Sequence, residues 1–242
     1  MSKILIACFD TETTGLDPAT EHVVQMSCVA YHPGDYASVV EFNALANPGV
    51  PMHPKAVEAH GITPSMLQGK PSSVKVVQAW WDSLVKHAAE QQAQIVLAGH
   101  NVNGYDVPLL RKYFPMGWPD LPIIDTLTIA RRLYPSAKNH QLGFLVGEYH
   151  GLSPELAARA HDGLADCYMV AKLLTLYQDA TQKSWHDLAE WTATPHRLSL
   201  VPFGKNKGRP FTALPERDLH WFMRQPGMDR DVLLTVREVL GV

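Results

Sequence analysis

The sequence predicts an α/β protein: a mixed sheet whose first three strands are antiparallel and whose later strands are parallel, flanked by helices and followed by a small C-terminal appendage. Three observations predict it. Three strand-like segments follow one another within the first 45 residues; beyond them, apolar strand runs alternate with segments of helical period; and the stretch after about residue 200 is turn-rich with two short helical patterns. Bulk properties agree. At 242 residues, with 46% hydrophobic and 19% charged residues, the chain can bury one sizeable core, which excludes disorder as its default state. Its apolar runs are too short to span a bilayer and its start lacks the pattern of a secretory signal, so a soluble, cytoplasmic protein without a membrane partner is expected. Cys8, Cys28 and Cys167 are odd in number, lie among apolar residues and form no Cys-x-x-Cys pair, which argues for core fillers over disulfides or structural zinc. A net charge of −3 argues against wholesale wrapping of nucleic acid but leaves room for local basic patches.

The elements follow in order. Ile4 to Phe9 is a run suited to a central strand buried on both faces, and it ends in Asp10-Thr11-Glu12-Thr13-Thr14-Gly15, where the chain turns. Val23–Tyr31 and Ser38–Leu45 read as the second and third strands, joined through Pro33-Gly34-Asp35. Pro54–His60 reads as a short helix ended by Gly61, and Thr63-Pro64 opens another. From Ser72 or Ser73, the spacing of Val74, Val77, Trp81, Leu84 and Ala88 predicts a longer helix packed on the sheet. Ile95–Gly99 is a buried strand, Tyr105–Phe114 a helix opened by Asp106, and Ile123–Asp125 a short strand. Helices are expected over Thr126–Leu133 and Leu142–Tyr149, then from Asp162 to about Asp179, then a capped one from Ser184 that stops before Thr194-Pro195. The organisation expected is a main domain over 1–182, a connecting segment over 183–200 and a tail over 201–242. In the tail, Phe203–Phe211 is a hairpin candidate, and Trp221, Phe222, Leu233 and Val236 are expected to need the main body for burial.

Chemistry concentrates in the acids. Side chains alternate along a strand, so Asp10 and Glu12 project to one side, where a divalent cation would favour both ionised forms. Asp106 at a helix start after a strand, and Asp166 in the first turns of a late helix, can converge on the same sheet edge. Hard carboxylate oxygens suit Mg²⁺ or Mn²⁺, and no thiolate cluster competes. Singly, each acid and His161 reads more often as a structural group.

Together, Phe9-Asp10-Thr11-Glu12-Thr13-Thr14-Gly15-Leu16, then Asn101 through Tyr105-Asp106, then His161-x-x-x-x-Asp166, resemble the three motifs of the DEDDh 3′→5′ exonuclease superfamily. The tail segments Phe203-Gly204-Lys205-x-Lys207-Gly208 and Leu219-His220-Trp221-Phe222, with Ala130-Arg131-Arg132-Leu133-Tyr134-Pro135, resemble its exodeoxyribonuclease X-like members. Three residues separate Asn101 from Tyr105 where those members commonly have two, a spacing that other branches share. The resemblance implies a ribonuclease H-like fold and two-metal hydrolysis of terminal phosphodiesters at DNA 3′ ends, single-stranded or frayed, releasing nucleoside 5′-monophosphates. It implies Asp10, Glu12, Asp106 and Asp166 as ligands of two Mg²⁺ ions, with Mn²⁺ the alternative, and His161, with Glu12, as the catalytic groups, His161 being the general base. It further implies Thr13, Thr14, Leu16, His60, Ile62 and Asn101 as contacts of the 3′-terminal nucleotide, although Leu16 and Ile62 read equally well as core. Lys205, Lys207 and Arg209 are candidates for a phosphate-binding turn. The pairs Trp80-Trp81 and Trp221-Phe222 read as packing residues. An RNase or a polymerase-proofreading exonuclease of the same superfamily is the alternative function, with RNA as substrate in the first case, and a non-catalytic nucleic-acid scaffold is the distant one.

Overall fold

A computed structural model describes residues 3–151, 162–225 and 227–242. Its centre is β1, Lys3–Thr13. Around it stand β2 (Val23–His32), β3 (Asp35–Leu45), β4 (Ala93–Gly99) and β5 (Ile123–Asp125), in the order β3-β2-β1-β4-β5. The β1/β2 and β2/β3 pairs are antiparallel, and the β1/β4 and β4/β5 pairs are parallel. β1 is longer than its apolar run. Pairing with β2 continues through Asp10↔Ser27 to Thr13↔Val23, whereas pairing with β4 stops at Cys8↔Ala98. The acids therefore lie inside the strand, with one of its edges released from the sheet.

Helices cover both faces. On one face α2 (Ser73–Gln91) packs against Leu5, Ala7 and Phe9; on the other, α6 (Gly163–Thr181) and α5 (Leu142–His150) pack against Ile6 and Cys8. The inward face of α2 is rotated from expectation: Val76 and Trp80 are buried while Val74 is 59% exposed, and Trp81 is only partly buried. Both phases fit the helical period, and the indole of Trp80, 5.5 Å from the Phe9 ring, selects one. Removing Trp80 and Leu84 from water contributes about 1.5–3 kcal/mol each.

The remaining α-helices among the described residues are α1 (Pro54–His60), α3 (Asp106–Arg111, shorter than expected), α4 (Thr126–Leu133), α7 (Trp185–Ala193), α8 (Glu216–Arg224) and α9 (Arg230–Leu240). α7 lies in the segment read as connecting, yet its Trp185, Leu188 and Ala189 join the core beneath the sheet. The tail departs further from expectation. Leu198, Val201, Phe211, Leu214, Leu219, Phe222, Val232 and Val236 form a core of its own, because two separated segments, 198–201 and 211–214, supply the apolar groups that α8 and α9 need. The Phe203–Phe211 hairpin is reduced to one antiparallel bridge, Leu200↔Pro210. The tail is tied to the main body by Arg132, whose guanidinium grips both Asp231 oxygens at 2.7 Å, and by an Arg131–Asp229 pair. Among the described residues no helix is long and apolar enough to cross a membrane.

Candidate metal centre

Strand alternation puts Asp10 and Glu12 in the row begun by Ile6 and Cys8, on the face that α6 covers. Asp162 caps α6, accepting from the Leu164 N–H at 3.1 Å, and Asp166 lies in its first turn. The start of α6 comes close to β1 and β2 because residue 163 is glycine: a Cβ there would sit 2.6 Å from Ser27 Oγ and 3.3 Å from Asp10 Oδ2. One carboxylate oxygen from each of Asp10, Glu12 and Asp166 consequently lies within 4.8 Å of the others.

Asp106 arrives from the opposite side. After β4 the loop 100–105 is held by Asp125, which accepts from the N–H groups of Asn101 and Asn103 at 3.0 Å each and also caps α4 through Leu127. Asn101 adopts a left-handed φ of 68°, which asparagine tolerates. Asp106 then opens α3 beside the released edge of β1, where its Oδ1 accepts from the Thr11 N–H at 3.1 Å and the Thr11 hydroxyl at 2.5 Å. Asp106 is buried and stands outside the group of three.

Burial and mutual repulsion push these acids up. Asp10 is raised by burial, then by Asp106, Glu12 and Asp166; Glu12 is raised to about 8 by burial, then by Asp166 and Asp106. Burial takes Asp106 to about 7 against the opposing Thr11 hydrogen bond. Three converging oxygen donors, two of which, Asp10 and Glu12, are destabilised as anions, fit a hard divalent cation, whose charge would reverse those shifts.

The loop leaving β1 is pinned at several points. The hydroxyls of Thr13 and Tyr105, 2.7 Å apart, both reach the Gly15 carbonyl. Thr14 bonds Glu21 through its hydroxyl, and its carbonyl accepts from the His53 N–H at 2.8 Å. His60 accepts from the Ile62 N–H at Nδ1, 3.0 Å, so Nε2 carries the proton and donates to the Thr13 carbonyl at 3.2 Å. Burial lowers the His60 pKa, consistent with that neutral ring. Leu16 stands 88% exposed at the loop's tip. Ile62 does not: it is buried with Val24 and Leu67, so the core alternative applies and only the loop around it can face a ligand. Asn101 is exposed and, with Asp166, lines one groove.

His161, the expected general base, lies outside the described residues. The basic turn is engaged within the protein: Lys205 pairs with Asp218 at 3.2 Å, Lys207 donates to the Lys138 carbonyl, and Arg209 donates to Asn206 Oδ1 and the Ala213 carbonyl. Lys207 still lines the groove that contains Asp166. Sequence reasoning missed the supporting roles of Thr11, Tyr105, Asp125 and Gly163. Asp125, an acid between an apolar run and a helical one, carried an N-cap signal; Thr11 and Tyr105 stood inside the motif stretches, and Gly163 gave no signal.

Comparison with known proteins places this geometry. Residues 7–174 match the RNase T exonuclease family. The chain is 28% identical over 248 residues to the PolC-type DNA polymerase III of Bacillus subtilis (strain 168), covering 96% of this chain but 16% of that protein. It is 25% identical over 240 residues to Exodeoxyribonuclease 10 of Escherichia coli (strain K12), covering 98% of this chain and 99% of that one. Among solved structures, Exonuclease X in complex with 5′ overhanging duplex DNA superposes with a TM-score of 0.59 at 24% identity, over 77% of this chain and 99% of that one. Escherichia coli Exonuclease I in complex with a dT13 oligonucleotide gives 0.58 at 22% identity, over 75% of this chain and 43% of that one. These structures share the ribonuclease H-like mixed sheet. Because the match takes in all five strands, β1 from Ala7 onward, together with Asp10, Glu12, Asp106 and Asp166, the chain belongs to the exonuclease family, in its DEDDh branch.

Proposed function

We propose that this protein is a metal-dependent 3′→5′ exodeoxyribonuclease that hydrolyses terminal phosphodiesters of DNA and releases nucleoside 5′-monophosphates. One observation carries the reading: oxygens of Asp10, Glu12 and Asp166 converge within 4.8 Å on the released end of β1. Asp10, Glu12, Asp166 and the Thr11-oriented Asp106 would hold two Mg²⁺ or Mn²⁺ ions. When bound, those ions supply positive charge at the attacking and leaving oxygens of the phosphodiester. His161 accepts the proton of the attacking water, a task suited to an imidazole that titrates near neutrality. The Thr13–Gly15 backbone, fixed by Tyr105 and His60, presents Leu16 to the 3′-terminal nucleotide, where an apolar side chain can pack on a base. Likeness to proteins solved with overhanging or single-stranded DNA supports single-stranded or frayed DNA 3′ ends as substrate.

A second reading rests on the PolC-type relatives, whose likeness favours service as a proofreading exonuclease to a polymerase. The test is a 5′-labelled oligonucleotide in DNA and RNA versions. The DNA is expected to shorten from its 3′ end with Mg²⁺, and to stay intact with EDTA or with Asp10→Ala. Absence of Mg²⁺-dependent trimming would sink the exonuclease reading; faster trimming of RNA would turn it into an RNase. Preference for a mispaired over a paired 3′ terminus would favour proofreading.

A further inference from the structure

Of the six tryptophans, five are buried or partly buried and Trp221 is 49% exposed. The sequence marked it as a packing residue, and its neighbour Phe222 is one. Trp221 instead meets Phe222 edge-on, with centroids 5.2 Å apart and planes at 73°, which holds the indole without covering it. It lies on α8 with Arg217 and Arg224, at positions i, i+4 and i+7, so the three form one stripe on the helix. Both arginines are exposed. The stripe lines a trough of about 580 Å³ whose other wall includes Lys205, with side-chain exposures of 77% for Lys205 and 84% for Arg217. Asp218 is the acid of that trough and pairs with Lys205 at 3.2 Å and Arg217 at 3.8 Å; with Arg224 as third cation the trough is net positive.

The trough is continuous with the candidate metal centre. A groove of about 860 Å³ contains Asp166, Asn101, Arg131 and Lys207 and reaches Phe203 and Gly204. Those two residues also line the trough under Trp221. A path therefore runs from Asp166, past Lys207, over the Phe203-Gly204 turn to the aromatic and basic stripe. Charge divides along it: residues 196–242 hold eight Lys and Arg against five acids, whereas residues 1–195 hold thirteen against nineteen. An exposed indole between guanidinium groups offers a stacking platform with phosphate contacts on either side, the pattern that single strands use without sequence preference.

We propose that Arg217, Trp221 and Arg224, with Lys205 and Lys207, form a second nucleic-acid site that holds the single strand running back from the 3′ end bound at the carboxylates. It rests on the exonuclease reading for the identity of that end. A trinucleotide fills the carboxylate site alone, while a dodecanucleotide reaches the stripe as well.

The test uses the full chain, with fluorescein-labelled trithymidylate and dodecathymidylate as probes. Binding is followed by anisotropy in EDTA at several salt concentrations, and trimming is followed with Mg²⁺. In the variant Arg217→Ala/Trp221→Ala/Arg224→Ala, dodecamer affinity is expected to fall about thirtyfold with a flatter salt dependence, and trimer trimming to stay within about twofold. Trp221→Phe is expected to recover most of the loss contributed by the indole. Unchanged dodecamer affinity, or equal loss at both lengths, would overturn the proposal. So would a dimer that Trp221→Ala dissociates while nucleic-acid binding stays intact, since the patch would then serve a second copy of the chain. Failure of the unaltered protein to trim either probe removes the exonuclease reading, while a Trp221-dependent preference for the longer probe in EDTA still upholds the second site.

Discussion

Thr11 gives both its backbone N–H and its hydroxyl to a single oxygen of Asp106, across 95 residues of sequence, at 3.1 and 2.5 Å. β4 stops pairing at Ala98, so Asp106 takes up the edge that β4 leaves open. Thr11→Val keeps shape and β-propensity but removes the hydroxyl. It should cost about 1 kcal/mol in chemical denaturation and lower trimming about tenfold, with Thr11→Ser restoring most of the rate. A wild-type rate in the valine variant would mean that the hydroxyl does not orient Asp106.

Acidity at the centre sets a pH dependence for the metal-free protein. Glu12 at about 8, Asp106 at about 7 and a raised Asp10 all lie above their unfolded values. The folded state thus holds protons that the unfolded chain releases, and the stability contributed below the unfolded values is lost as pH rises through the folded ones. In EDTA, thermal stability is expected to fall between about pH 5 and about pH 8.5, with saturating Mg²⁺ restoring it most at the upper end. Glu12→Gln should flatten the slope. A metal-free protein equally stable at both ends would contradict the assigned shifts.

Gly163→Ala is a test of close approach. Helix propensity alone favours alanine by about 1 kcal/mol. The new Cβ would meet Ser27 Oγ at 2.6 Å, so net destabilisation of about 1–3 kcal/mol is expected, with reduced Mn²⁺ affinity as Asp166 moves from Asp10. Adding Ser27→Gly should recover both quantities; recovery of neither would show that the contact is not the cause.

For His161, the prediction follows from general-base catalysis. His161→Ala should slow trimming about a hundredfold or more while Mn²⁺ titration by calorimetry is unchanged. Near-normal turnover would remove His161 from the mechanism.

Asp231→Ala leaves Arg132 buried without its partner; their side chains are 5% and 6% exposed in the intact pair. A loss of about 3–5 kcal/mol is expected for docking of the tail, read as earlier proteolytic cleavage near residue 195. Replacing both partners by apolar residues should return much of it.

How much of this was legible in the sequence depends on what each residue answers to. Asp10, Glu12, Asp106 and Asp166 are dictated by chemistry, and their spacing survives in the one-dimensional string. The inward face of α2 was not legible, because Val74 and Trp81 satisfy the helical period as well as Val76 and Trp80 do, and only packing on Phe9 decides. Leu16 and Ile62 are alike as sequence and opposite in exposure, since their fate is set by loops that long-range hydrogen bonds pin. The tail's own core drew on Leu198, Val201 and Phe211, which follow no period.

The eight-residue helix α4 touches both halves of the molecule. At its start, Asp125 holds the loop that delivers Asp106; at its end, Arg131 and Arg132 hold the tail. Pulling on the tail therefore loads the same short rod that sets the carboxylate's approach to β1. A strand held on the tail, as proposed above, would therefore pull on the helix whose N-cap residue positions the loop that delivers Asp106, which makes α4 a tie-bar between the two halves.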